Sequence, residues 1–261
     1  MRTLEEQLTI NRNCKFHPES KEELQKLVSD PKINLGLIDT SNISDMSWLF
    51  KGTFDRLDFS GIEKWNVSNV TSMGAMFAGC HDFNQDISSW DVSSVEIMFG
   101  MFADCRAFNQ SLNAWDVSKV TNMFNLFYGC ENFNQPLDMW NVSNVISMQG
   151  MFEGCKKFNQ SLHDWNVENV ENMGSMFVNC CNFNQAIGTW NVSKVTDMHD
   201  MFRSCVNFNQ DLTQWKVKET CNTQNMFTDT PLRLANVKEV FTEKQLLNSA
   251  SQIFLNELTL K

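Results

Sequence analysis

Tyrosine is almost missing from this chain: one residue stands against 21 phenylalanines and 8 tryptophans. Tyrosine prefers a wet edge for its hydroxyl, so Phe and Trp without it point to rings packed in a dry interior. Basic charge is short as well, since 21 Lys and Arg against 31 Asp and Glu give a formal charge of −10. Phosphate binding needs a basic patch, which argues against nucleic acid as a partner. No run of five like charges makes an acidic or basic tail.

No segment approaches the ~18 consecutive apolar residues of a membrane helix, so no membrane span is expected. Residues 1–16, MRTLEEQLTINRNCKF, hold no unbroken apolar stretch and carry Glu5 and Glu6, unlike a secretory signal. Motifs that carry chemistry are missing too. There is no C-x-x-C, and the four histidines at 17, 81, 163 and 199 are scattered, so no zinc site is expected. No glycine-rich phosphate loop, G-x-S-x-G or H-E-x-x-H occurs. The carboxylates read as spread over the surface rather than paired. The expectation is a non-enzymatic chain with no catalytic, cofactor-binding or metal-binding residues.

What the chain does have is a period. Tryptophan recurs every 25 residues from Trp65 to Trp215, and cysteine every 25 from Cys80 to Cys205. Phe-Asn-Gln begins at Phe83, Phe108, Phe133, Phe158, Phe183 and Phe208. Such a period outranks any local reading and marks a repeat architecture. An earlier, degenerate copy begins at Ile38, offset by 27, and the last copy degrades to Thr220, Thr223 and Thr230. Atypical ends are expected where a terminal repeat must face water.

Within one repeat, Val95, Met98, Met101, Phe102 and Cys105 are spaced like one face of a short helix. The column before the cysteine reads Gly79, Asp104, Gly129, Gly154, Asn179 and Ser204, residue types that tolerate a left-handed backbone where a helix ends. The FNQ segment is the best strand candidate. Asn or Asp after each Trp can bond the backbone two residues on and set a turn. The predicted fold is an α/β repeat solenoid, right-handed and leucine-rich-repeat-like, with a parallel sheet, short helical returns and helical caps. Like would then stack on like: Trp, Phe, Met and thiol ladders, with the Asn84 to Asn209 column as an amide ladder. Identical residues in every repeat are what one-dimensional packing requires, so these columns read as packing rather than chemistry.

Residues 1–37 read as an N-terminal cap, 38–230 as the repeats and 231–261 as a C-terminal cap helix. Residues 18–30 predict a helix, with Ser20 and Glu23 as a capping box and Leu24, Leu27 and Val28 as its apolar stripe. Residues 33–38, INLGLI, predict a strand. Residues 242–258 predict an amphipathic helix. The inserted residues 53–64 are the one internal break in the period.

Buried, parallel thiols favour the reduced state, which implies a reducing compartment. With no secretory signal, this predicts a cytoplasmic location. The exposed columns vary from repeat to repeat, which is how repeat proteins make binding surfaces. The candidate surface for a protein partner comprises Asp86 and Ser111 after the Gln, Arg106, Glu131, Lys156 and Lys157 after the Cys, His163 before a Trp, and Asp211.

The unit WNVSNVTSMGAMFAGCHDFNQDISSW, residues 65–90, resembles the BspA-like repeat family first catalogued as DUF285. That family is common in Mycoplasma lipoproteins and in surface proteins of other bacteria that live on hosts. The resemblance covers about three quarters of the chain and implies a non-enzymatic leucine-rich-repeat-type solenoid. It also implies adhesion or antigenicity at a cell surface, the alternative to a cytoplasmic location. The expected function is a scaffold for protein–protein interaction. The alternatives are a structural or antigenic array without one ligand, or an intracellular binding module.

Overall fold

The computed structural model describes residues 14–51, 56–237 and 239–249. Two α-helices occur among them, α1 (Lys21–Ser29) and α2 (Glu243–Ser249). Short 3₁₀ turns lie at Leu35–Leu37, Ile62–Lys64 and Leu234–Asn236. Between residues 65 and 230 the chain is a series of turns and extended links with no named helix or strand.

The predicted parallel-sheet α/β solenoid is therefore overturned. Successive repeats are joined by single parallel bridges, Asp45↔Ser72↔Ile97↔Asn122↔Ser147↔Asn172↔Asp197↔Asn222. These bridges do not fall on FNQ. There the Asn109 N–H donates to the side-chain Oδ1 of Asn84 (2.9 Å), and Gln110 Nε2 donates to the Asn84 carbonyl (2.9 Å). Side-chain amides have taken the partners that a strand would give to its neighbour's backbone. The amide ladder itself is borne out, from Asn84 through Asn209 and on to Asn236.

The predicted helical return is overturned too. The N–H groups of Met73, Ala75, Phe77 and Gly79 all donate forward, to Ile97, Phe99, Met101 and Ala103 of the next repeat. Those of Met76, Ala78 and Cys80 close turns onto Met73, Ala75 and Phe77. An α-helix needs all of its N–H groups internally. Sending alternate ones outward converts the segment into tandem turns. Two left-handed positions per repeat make this possible. One is the Gly79 column foreseen from sequence, with φ of +81° at Gly79 and +59° at Asp104. The other runs Trp48, Ala75, Gly100, Asn125, Gly150, Ser175, Asp200 and Asn225.

The core follows the period closely. Phe102 stacks on Phe108 at 4.3 Å and on Phe127 of the next repeat at 5.6 Å. Trp65 through Trp215 are each 5% exposed or less, and each indole N–H donates to an Ile or Leu carbonyl 28 or 30 residues earlier. The expected Asx turn is present as well: Asp91 Oδ1 accepts from the Ser93 N–H at 3.1 Å.

At the N-terminal end, Ser20 caps α1 by accepting from the Glu23 N–H (3.2 Å), and Leu24 and Val28 are fully buried. The strand predicted at residues 33–38 is instead the 3₁₀ turn at Leu35–Leu37, after which Ile38 pairs with Phe16. The inserted segment contributes buried Arg56, which donates to the carbonyls of Val28 (2.8 Å), Asp30, Asp58 (3.1 Å) and Ile33 (3.2 Å). It ties the end of α1 to the first repeats. At the other end, Asn225 and Phe227 N–H, which have no further repeat to bond, donate to Asn248 and Ser249 of α2. Residues 250–258 of the predicted terminal helix lie outside the described residues.

Candidate interaction surfaces

The columns singled out from sequence all reach solvent. Asp86, Ser111, Arg106, Lys156, Lys157, His163 and Asp211 are exposed and Glu131 is half-buried. Glu131 and Lys156, one repeat apart, form an ion pair at 3.0 Å. Asp86, Asp211, His163, Arg106 and Lys157 make local or backbone contacts. Asp86 accepts from the Ser88 N–H (2.9 Å), and Asp211 accepts from the Thr213 N–H (2.8 Å) and hydroxyl (2.7 Å). These bonds hold both carboxyls below the ordinary carboxylate value. His163 Nδ1 lies 3.4 Å from Thr189 Oγ1, and the Arg106 carbonyl accepts from Asn132 Nδ2.

The cysteine column is packing with a polar finish. Cys105, Cys130, Cys155, Cys180 and Cys205 are buried free thiols. Each donates to a Phe carbonyl of the preceding repeat, at 2.8–3.2 Å. Burial pushes these thiols well up from their ordinary value and takes Cys80 to about 12. A thiol that holds its proton so tightly is a poor nucleophile at neutral pH.

A crevice of about 170 Å³ beside the insertion is lined by Phe50, Arg56, Leu57, Phe59, Cys80 and His81. Two of its polar groups are already engaged: Arg56 by four carbonyls, and His81 by the Asp104 carbonyl at 2.9 Å.

A further exposed face was not foreseen. The pair of residues following the first Met of each repeat varies completely: SW, GA, FG, FN, QG, GS, HD, and QN after Thr223. That variation was the available signal, masked by reading the segment as one helix. Backbone bonds Ala75→Phe99, Gly100→Phe124, Asn125→Gln149, Gly150→Gly174 and Ser175→His199 set these residues side by side. At one end the face is apolar, with Trp48, Ile97 and Phe124 exposed by 42%, 43% and 37% and Phe99 half-buried. Further along it is acidic, and carboxylates that read as scattered in sequence come together there. Glu153 has its pKa raised, by burial first and then by Asp200, against Arg203 and His199. Asp200 Oδ1 is buried without a hydrogen bond, and Arg203 stands 3.8 Å away.

Within this acidic end Ser175 Oγ lies 3.5 Å from His199 Nε2, and His199 Nδ1 lies 2.8 Å from Asp197 Oδ1. The order is that of a hydrolytic triad, but acyl transfer also needs donors for the developing oxyanion. The N–H groups of Ser175 and of the following residue are committed, Ser175 to the His199 carbonyl and Met176 to that of Met173. The trio is a polar clasp between neighbouring repeats. Among the described residues no group of three or more His, Cys, Asp or Glu is placed to hold a metal. Nor is any helix long and apolar enough to cross a membrane.

No curated protein and no solved structure matches the chain. One family matches twice, over residues 22–138 and 125–240, which together cover every repeat and all of α1 but its first residue. The chain therefore belongs to the family described as Mycoplasma protein of unknown function, DUF285.

Proposed function

We propose that this protein is a non-enzymatic repeat scaffold that holds a protein partner on its exposed, variable columns. One observation carries this reading. The residues that join repeat to repeat are constant: the Asn84-to-Asn209 amides, the Trp indoles and the Cys thiols. Many of the residues that meet solvent between them change from repeat to repeat, as at Arg106, Glu131 and Lys156. Constant joints with varied exteriors allow a surface to be specified without disturbing the stack. The buried thiols further support folding in a reducing compartment, a cytoplasmic one in this reading.

Crosslinking of the full chain in cells of its source, followed by identification of the joined proteins, tests the scaffold reading. One reproducible partner, lost on reversing surface charge in a folded variant such as Lys156→Glu/Lys157→Glu, is the expected result. Indiscriminate crosslinks that survive every surface reversal would instead favour an array without a specific ligand. Cell fractionation tests the compartment, and recovery of the chain on the outer surface would overturn that part.

A further inference from the structure

We infer that Trp48, Phe99 and Phe124, together with Glu153 and Asp200 on the same face, form one docking strip for an extended peptide of another protein that carries apolar residues at one end and Lys or Arg at the other. The inference rests on the scaffold reading and specifies its partner chemistry.

Trp48 is the starting point. Its column is otherwise Ala75, Gly100, Asn125, Gly150, Ser175, Asp200 and Asn225, all small or Asx residues in a left-handed backbone. Trp48 adopts φ +58°, a conformation that bulky side chains avoid, and still leaves 42% of its surface in water. Strain together with apolar exposure is a cost to the fold, and such outliers concentrate where a ligand uses them. The ring is also held ready. Phe99 meets it edge-on at 6.1 Å, and Lys51 Nζ sits 4.8 Å over its face. Phe99 can lean that far because the repeat between them has Gly74, where an added Cβ would stand 2.6 Å from the Phe99 ring. Ile97 and Phe124 continue the apolar surface. Rigid aromatic anchors of this kind dominate binding energy at interfaces.

The charge of the face chooses the occupant. Beyond Gln149, carboxylates Glu153, Asp197 and Asp200 face Arg203 and His199. Asp200 keeps an oxygen without a hydrogen bond. Three carboxylates there share the single guanidinium of Arg203, and a cationic side chain from a partner would meet that excess of negative charge. The floor between the two ends is Gly100, Asn125, Gly150 and Ser175, whose N–H groups are all used in the inter-repeat bonds. The peptide is therefore read by its side chains and not added as a strand. Four repeat steps separate Phe99 from His199, roughly 19 Å at ~4.8 Å per hydrogen-bonded step, which an extended chain spans in about six residues at ~3.3 Å each.

The experiment is selection from a random ten-residue peptide display library on the immobilised full-length protein, followed by titration of the selected synthetic peptides. Expected are sequences with Trp, Phe or Leu near one end and Arg or Lys about six residues away. Binding should shift the emission of Trp48, the one indole outside the buried ladder. Trp48→Asn places in that column a residue type it already holds at Asn125 and Asn225. It should fold with an unchanged circular dichroism spectrum and bind at least tenfold more weakly. Glu153→Gln/Asp200→Asn should weaken binding about tenfold and flatten its salt dependence. Failure to select any peptide, selection of acidic peptides, or equal affinity in Trp48→Asn overturns the inference. If affinity is lost in Lys156→Glu/Lys157→Glu but kept in Trp48→Asn, this strip fails while the scaffold reading stands.

Discussion

The backbone N–H of Asn159 donates to the side-chain Oδ1 of Asn134, 2.9 Å away and 25 residues earlier in the chain. The same Oδ1 accepts from Gln160 Nε2 at 3.1 Å. One amide oxygen thus does for two repeats what a backbone carbonyl does in a sheet. Because Asn134 supplies an acceptor at this joint, its replacement has a definite consequence. Asn134→Ala leaves the Asn159 N–H without its partner and should cost about 1–3 kcal/mol by denaturant unfolding. Asn134→Asp keeps the acceptor and should cost less. Equal losses would show that the oxygen is not what matters at this position.

Trp115 joins two repeats through both its ring and its nitrogen. Its ring lies 6.5 Å from Trp90 at an interplanar angle of 2°, and its Nε1 donates to the Ile87 carbonyl at 3.2 Å. Trp115→Ala should cost about 3–5 kcal/mol. Trp115→Phe keeps much of the ring and leaves the Ile87 carbonyl its bond from the Trp90 N–H, so the lost indole bond should cost about 0.5–1.5 kcal/mol. Cys105→Ala, which removes one buried sulfur, should fall at ~1 kcal/mol or somewhat more. Urea unfolding of the three variants reads the order, and a Cys105→Ala protein less stable than Trp115→Ala would contradict it.

The thiol column makes stability depend on alkali. In the folded chain Cys105, Cys130, Cys155, Cys180 and Cys205 hold their protons well above the ordinary thiol value of 9.0, because burial disfavours the thiolate. Above pH 9.0 the unfolded chain therefore releases protons that the folded chain keeps, and stability falls as pH rises. Below that pH these groups contribute no dependence. Each thiol can contribute a slope of up to about 1.4 kcal/mol per pH unit. Denaturant midpoints measured from pH 7 to 11 should stay level to about 9 and then drop steeply. Cys130→Ala/Cys155→Ala should make the alkaline drop shallower, whatever its effect at pH 7. A slope unchanged in that variant would remove the thiols as its cause.

Arg56 is the tie between the inserted segment and α1. Its guanidinium meets four backbone carbonyls, among them Val28 at 2.8 Å, and the residue is 5% exposed. Arg56→Met retains the apolar stem but abandons those acceptors, and should cost about 3 kcal/mol or more if even two stay unsatisfied. Because the tie is local, hydrogen exchange should rise first in α1 and hardly at all around Trp165. Uniform loosening throughout the chain would show that Arg56 acts on the whole stack.

The sequence alone determined the repeat, its core and much of its joinery. A strict 25-residue spacing allows few arrangements other than neighbour on neighbour, so the Trp, Phe and thiol ladders and the Asn84-to-Asn209 amides are legible from the spacing alone. The left-handed backbone at Gly79 and its equivalents was legible too, because residue type there reports φ directly. The tertiary structure decided where the backbone hydrogen bonds go. Spacing of apolar residues describes which side is buried and does not say whether an N–H points along its own segment or across to the next repeat. At Met73, Ala75, Phe77 and Gly79 it points across, and the expected helix became turns. At Asn109 a side chain outcompeted the backbone, and the expected strand became an amide ladder. The strip from Trp48 to Asp200 was hidden for the same reason. Its residues are 152 positions apart along the chain and share a face because each repeat hands its hydrogen bonds to the next.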